Sequence, residues 1–484
     1  MIFVKSLNHP YSVWMTGKTD QEIQKDSLFA ELYNECCLTI PGKRLSYSIR
    51  NKMDQIDKKV KKDIVSRIKE GCSPLFIACM KGNVEIVEYL IKECGANVEQ
   101  KGVYEVQEDR TSHYVTPLWC AAVSGQLDVV KCLVKYGANV NVSSDSGSTP
   151  VRSACFMTYI NIVSFLIEKG ADILKPNQNG GTPLINSVHS KALCQLLIDH
   201  GADVNVKDIH HKTALHYAIS GLHYDTTVLF LQNGADIHAK SIYGDDALQT
   251  ACLKMASQIF EYLISFYDYP KERIADSLEL MGSMFLDEQH DLSTALKYWK
   301  RAIQIRNIDP SRPIRKKFIG YKKTYLNAIE FQTMDDLEAI EFDLGALRIQ
   351  SLLISERILG PLHRNMLFKL MFRGASYADN FQYQRCIDLW IYAFELRIQK
   401  HTLLHNESSF ALQALIKLCL DFYEKQKNGL LKAKLQYDDM LFIFKCLNFH
   451  LPSSIQALTI RPVFKNQQDN FDVTLKVKLV FFSA

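Results

Sequence analysis

The sequence predicts an all-α protein built from two successive arrays of helical repeats, and two observations carry that expectation. Through the first half one phrase, built on Thr-Pro-Leu and closed by Gly-Ala-Asp or Gly-Ala-Asn, returns at a near-constant interval. Thr116 to Thr149, Thr149 to Thr182 and Thr213 to Asp246 are each 33 residues apart, and Thr182 to Thr213 is 31. Through the second half a different pattern sets a small residue against a tryptophan, at Gly282, Ala295, Trp299 and Ala302, and again at Gly374, Cys386, Trp390 and Ala393. A fixed period means that each unit buries its apolar side only against its neighbours.

Taken in chain order, residues 1–26 read as an N-terminal extension and 27–70 as an atypical capping repeat, helical in "DSLFAELYNEC" and "KKDIVSRI" but without the repeat phrase. Residues 71–268 have the ankyrin period and its mechanics. Thr caps the first helix of each repeat, and Pro in its first turn loses no hydrogen bond. Gly137, Gly170, Gly201 and Gly234 end the second helix where positive φ is wanted, and Cys79, Cys155 and Cys252 fill small positions between helices. Ser73 to Thr116 is 43 residues, ten more than one period, so "EQKGVYEVQEDRTSHY" forms an enlarged loop at about 99–114, on the face that solenoids use for binding. The shortening around Ser190 reads as a clipped turn between two helices. Residues 269–450 form a tetratricopeptide-like helical superhelix, in which "AIEFDLGALRIQSLLISERILG" reads as one long helix ended by Gly360 and Pro361. Residues 451–484 are a divergent tail, where "VTLKVKLVFF" alternates like a strand with no partner. The fold class expected is thus an ankyrin-repeat solenoid followed by a tetratricopeptide-like superhelix.

Composition excludes several functions. Fifty-seven Lys and Arg against 53 Asp and Glu give a net charge of +4, with no broad electrostatic footprint for nucleic acid or a membrane surface. The basic run at 58–70 reads as the solvated face of a helix. No run approaches the 18 apolar residues of a membrane span, and no secretory leader is recognisable. The 13 cysteines are scattered without a CxxC pair, which suits a reduced protein of the cytoplasm or nucleus. "MTGKT" at 15–19 lacks the upstream glycine of a phosphate loop, because Ser12 stands there. There is no HExxH and no GxSxG. His216 occupies the position that bonds local backbone, and His210 and His211 sit on a solvated finger, so neither a catalytic residue, a metal site nor a cofactor is expected.

"TPLWCAA" after the enlarged loop, "STPVRSACF", "DLSTALKYWKRA" and above all "SERILGPLHRN" with "RGASYADNFQYQRCIDLW" resemble the Fem-one (feminization) homologues. The resemblance spans roughly residues 27–450. It implies a non-catalytic substrate receptor of a cullin-two RING ubiquitin ligase, which binds protein C-termini ending in arginine on the ankyrin concave face and docks through elongin B/C. In that family one acid comes from the enlarged loop and a second directly follows an Ala-Cys-Phe. Here Ala154, Cys155 and Phe156 are followed by Met157 and Thr158, and the position of the loop acid falls at Gln107 or Glu108, with Asp109 adjacent. Ser148 and Arg152 are kept, for the peptide backbone and the terminal carboxylate. The implied degron-binding set is Glu108, Asp109, Ser148, Arg152, Phe156 and Met157. With one anionic contact gone, a preference for an ending other than arginine is expected; the plainer alternative is that Met157 packs on a neighbouring finger. The family's ligase-docking box is expected to be missing, which leaves a non-degradative scaffold or competitor as the other reading.

Overall fold

A computed structural model describes residues 19–106, 110–429 and 436–458. The chain divides into two compact units between Ile242 and Tyr243.

The first unit opens with three helices that lack the repeat phrase. Helix α1 (Asp20–Cys37) starts at Thr19, whose hydroxyl accepts from the Glu22 amide, and buries Leu28, Leu32, Tyr33 and Cys36. It is followed by α2 (Tyr47–Asp54) and α3 (Lys58–Ser66). The lysine-rich α3 buries Ile64 and Val65 and leaves Lys58, Lys59, Lys62 and Asp63 exposed as the run predicts, while Lys61 is largely covered, 3.6 Å from Asp54.

Helix pairs then repeat: α4 (Pro74–Lys81) with α5 (Val84–Lys92), and, beyond the two strands β1 (Gly102–Glu105) and β2 (Ser112–Val115), α6 (Pro117–Val123) with α7 (Leu127–Lys135). Next come α8 (Pro150–Phe156) with α9 (Ile160–Glu168), α10 (Pro183–Asn186) with α11 (Lys191–Asp199), and α12 (Ala214–Ser220) with α13 (Tyr224–Gln232). Thr116, Thr149 and Thr182 each accept the amide three residues on, at 3.3 Å. The four glycines that follow the outer helices have φ between +80° and +90°. Cys79 and Cys155 are fully buried, and burial pushes the Cys155 thiol up to about 12. His216 accepts the Thr213 amide at 3.2 Å through Nδ1, and His210 and His211 lie exposed on the finger.

Two local expectations are refined. The enlarged loop is an antiparallel hairpin in which Gly102 pairs with Val115 and Tyr104 with His113. Gly102 lies flat on Phe76: a Cβ there would stand 2.8 Å from the ring, so only glycine lets β1 approach α4. The shortening near Ser190 falls on the inner helix itself, since α10 has 4 residues where α8 has 7. Ser190 then caps α11 in the ordinary way.

In the second unit α14 (Ala247–Leu253) and α15 (Ser257–Phe266) carry the last ankyrin phrase, and α14 packs on α16 (Lys271–Met284). A π-turn, Phe285–Gln289, leads to α17 (Leu292–Arg306). The helix expected over 339–360 starts only at Leu344: a short helix, α18 (Met334–Glu338), precedes the stretch, residues 339–343 form a turn, and Asp343 accepts the Ala346 amide at 3.0 Å to start α19 (Leu344–Leu359). Gly360, at φ +85°, ends α19. Then follow α20 (Arg364–Asp379), α21 (Tyr383–Lys400), α22 (Asn406–Lys427) and α23 (Tyr437–Leu458), the last running through Pro452. The strand-like stretch of the tail lies outside the described residues.

Both small-against-tryptophan pairings form. A Cβ on Gly282 would sit 2.6 Å from the Trp299 ring, and one on Gly374 2.3 Å from the Trp390 indole nitrogen. Each indole is also tied by its N–H, Trp299 to the Glu279 carbonyl at 3.0 Å and Trp390 to the Met371 carbonyl at 2.9 Å. Neither ring has room to withdraw. Gly282→Ala and Gly374→Ala are therefore each expected to destabilise the chain by about 1–2 kcal/mol in urea unfolding, overpacking outweighing the gain in helix propensity.

Candidate peptide-binding site

The inner helices of the first unit share a register, and the third residue after each capping Thr or Ser marks one row along them: Phe76, Trp119, Arg152, Ile185 and His216. Arg152 is the one ordinary cation in that row, and the structure surrounds it with neutral oxygens. Its Nε donates to the Gly181 carbonyl at 2.9 Å, Nη1 to the Ser148 hydroxyl at 3.1 Å and Nη2 to the Asn186 side-chain carbonyl at 3.3 Å. No carboxylate among the described residues pairs with it, and burial pushes the guanidinium below its ordinary range. Three of five N–H groups are spent on holding the plane in place; the others remain for a ligand.

Ser148 is almost fully buried, at the end of the finger that leads into α8. Its amide donates to the Ser144 hydroxyl at 3.0 Å and its own hydroxyl stands 3.0 Å from that of Ser153. A Cβ on Gly181 would lie 3.0 Å from Arg152 Nη2, close enough that the guanidinium would have to shift by a few tenths of an ångström. Phe156, one helical turn beyond Arg152 and so on the same face, is 63 % exposed, and Met157 is 38 % exposed. Ser148, Arg152, Phe156 and Met157 are thus brought together around α8. Glu108 and Asp109 lie outside the described residues.

Tyr104, His113 and Trp119 of the preceding repeat and its hairpin form a cluster that reaches the finger leading to Ser148. The ring of Tyr104 on β1 meets that of Trp119 edge-on at 5.5 Å, and the ring of His113 on β2 lies 6.2 Å from it. Trp119 is buried, and its indole N–H has no hydrogen-bond partner among the described residues. His113 Nδ1 stands 3.4 Å from Asp145, on the finger that ends at Ser148. Burial works against ionisation of Asp145, but backbone N–H groups of Tyr114 and Ser146, with His113, hold its carboxyl below the usual range. The Thr-plus-three register could have flagged Trp119. The hairpin contacts need tertiary structure.

Ankyrin repeats are matched at residues 45–142, 102–177 and 173–241. Over 336 residues, 69% of this chain and 50% of the relative, the sequence is 36% identical to a fem-1 homolog of Drosophila melanogaster. It is 31% identical over 375 residues to the fem-1 homolog A-like protein of Mus musculus, 69% of this chain and 57% of that one. The fem-1 homolog C of Homo sapiens matches at 34% over 208 residues, 42% of this chain and 33% of that protein.

The chain belongs to the fem-1 homologue family. It spans about half the length of the curated relatives it matches over most of its residues. Its repeats give it a protein-interaction role. No helix among the described residues is long and apolar enough to cross a membrane.

Thr158 is where this fem-1 homologue bears a local cost. The turn after the inner helix is left-handed in four of the five helix pairs of the first unit, with φ +75° at Gly82, +75° at Gly125, +60° at Thr158 and +60° at Leu222. A β-branched residue is strained there. Thr158→Gly is expected to raise stability by about 1 kcal/mol, measured as a shift in the denaturation midpoint at unchanged m-value. A fall in stability would show that the Thr158 hydroxyl, which donates to the Met157 carbonyl at 2.7 Å, outweighs the strain.

Proposed function

We propose that the first unit binds the free C-terminal tail of partner proteins, as the substrate-reading part of a cullin-two RING ubiquitin ligase. Arg152 takes the terminal carboxylate, with Ser148 beside it, and Phe156 and Met157 border the last side chain. Ubiquitin transfer belongs to partner subunits reached through elongin B/C, and the place of action is the cytoplasm or nucleus. The observation that carries this reading is the guanidinium of Arg152. It is half-buried, fixed at three points and unopposed by any carboxylate among the described residues. A planar fork of that kind favours a carboxylate over a neutral group, and its fixed position removes most of the ordering cost of binding. Family membership and the ankyrin repeats support the same reading.

The side chain that follows the carboxylate would meet an exposed phenyl ring and a thioether. Those surfaces favour an apolar or aromatic last residue. A terminal guanidinium placed there would be desolvated against Met157 without the acid it needs.

The test uses the full chain and peptides that share one body and differ in the last residue, each with a free or an amidated C-terminus. Free-acid peptides ending in Leu, Met or Phe are expected to bind more tightly than the Arg-ended one. Amidation or Arg152→Gln should each weaken binding by about 2–5 kcal/mol, and the variant should no longer distinguish the two forms. Binding that is indifferent to amidation sinks the reading. In the same assay Met157→Asp is expected to improve the Arg-ended peptide by about tenfold or more, since it returns an anion to a partly desolvated site. Recovery of elongin B/C with the purified full chain tests the ligase assignment separately.

A further inference from the structure

The near-neutral count of charges over the whole chain conceals one local run. Between Asp309 and Glu330 there is no Asp or Glu, against Arg312, Arg315, Lys316, Lys317, Lys322 and Lys323. The run lies in the connection from α17 to α18, residues 307–333, whose one regular element is a short turn at Lys323–Tyr325. A connection of that length inside a packed unit is uncommon unless it has a use.

The loop is held from beneath by α16, α17 and α19. The Ile314 amide donates to the Arg306 carbonyl at 2.9 Å. The Lys316 ammonium is buried, 3.2 Å from Glu279 and 3.1 Å from Glu330, and donates to the Phe331 carbonyl at 2.6 Å. Lys322 pairs with Glu356, and the Tyr325 hydroxyl donates to the same carboxylate at 2.5 Å. With these groups turned inward, Arg312, Arg315, Lys317, Phe318 and Tyr321 are left exposed. The side chains of the three cations make no hydrogen bond or ion pair among the described residues, whereas Lys323 is engaged by Asp388 at 3.3 Å.

Contacts and chain length put these residues on one surface. The rings of Phe318 and Tyr321 meet edge-on at 5.2 Å, and Lys317, Phe318 and Ile329 line one hollow. Arg315 stands two residues before Lys317 and Arg312 five, at most about 7 and 18 Å along the chain. Phe318, Tyr321 and Ile329 are each more than half exposed. The hollow between them is about 30 Å³, room for a water or two and too small to seat a side chain.

We propose that this loop rests on an anionic lipid surface, with Phe318, Tyr321 and Ile329 entering the boundary between headgroups and acyl chains and Arg312, Arg315 and Lys317 lying among the headgroups. Apolar tips rimmed by Arg and Lys are what a bilayer interface takes, and the attraction of the cations adds to the burial of the tips. A bilayer also requires no pocket. A receptor that threads a basic run as an extended peptide would need Lys316 and Lys322, which are bound inward. A single-stranded nucleic acid would stack on the rings, but these already face each other edge-on, and Ile329 offers no stacking plane. The inference is independent of tail binding by the first unit.

The experiment sediments the full chain with vesicles of phosphatidylcholine, alone or mixed with phosphatidylserine. Binding to the mixed vesicles is expected to be at least about tenfold tighter and to weaken with added salt. Arg315→Gln with Lys317→Gln should remove most of that margin, and Phe318→Ser with Tyr321→Ser should weaken binding by about tenfold while keeping the salt dependence. All four side chains are exposed, so both variants should melt with the parent. Lys58→Gln with Lys59→Gln, an equal change of charge on exposed lysines of α3, should bind as the parent does. Equal binding to both kinds of vesicle, an equal loss in the α3 variant, unchanged binding without the two rings, or displacement by soluble phosphoserine would each overturn the proposal. Tighter binding to polyglutamate or single-stranded RNA than to the mixed vesicles, at equal concentration of anionic groups, would overturn it too and make the partner a soluble polyanion.

Discussion

The structure of the first unit depends on the close approach of its inner helices, which small side chains permit. Ala78 with Cys79, Ala121 with Ala122, and Ala154 with Cys155 are all fully buried on successive inner helices. Packing at that density leaves no room for an added methylene. Everything on the exposed side of the row inherits its spacing from this contact: the finger that ends at Ser148, the Arg152 fork, and the hairpin that Gly102 lets settle on Phe76. The thiols are part of the packing. Burial raises the pKa of Cys79, Cys120 and Cys155, so they behave as small apolar groups.

The second unit uses a different device. Its helices are bulkier at their contacts, and the Gly282–Trp299 and Gly374–Trp390 pairs set their distance, each indole fixed by a backbone carbonyl. Between those pairs the unit buries ion pairs. Burying charge is costly unless it is answered, and the Glu279 network meets that condition with its carboxyl held below the usual range: burial opposes ionisation, and Lys316, Arg306 and Arg357 outweigh it. Arg152 of the first unit departs from this rule: it is a half-buried cation with no carboxylate paired to it among the described residues.

The family resemblance named the site residues, and the repeat register adds where they stand. Counting from Thr149 places Ser148, Arg152 and Phe156 at the end of a finger and on one helical face, and the structure gathers them there. What carries Arg152 was not legible. Gly181 and Asn186 come from the next repeat, 29 and 34 residues on, and no local pattern says that a glycine carbonyl and an asparagine will meet a guanidinium. The hairpin was equally hidden. Its strands are 4 residues each, too short for alternation to register, and what fixes them is tertiary: Tyr104 and His113 against Trp119, and His113 toward Asp145. The break before α19 lay within reach of sequence, since Asp343 three residues before Ala346 is a cap signal, but the apolar spacing on either side masks it.

By itself the sequence determined the class of fold, the period, the caps and the glycines that end the outer helices, because each follows from backbone chemistry within a few residues of where it acts. It also determined that Met157 and Thr158 stand where the family resemblance implies an acid and a glycine. Tertiary structure alone decided how charge is balanced. Whether an arginine has an acid beside it depends on residues that the solenoid brings together from separate repeats, and a count of Lys, Arg, Asp and Glu close to neutrality hides both the satisfied network around Glu279 and the unpaired cation at Arg152.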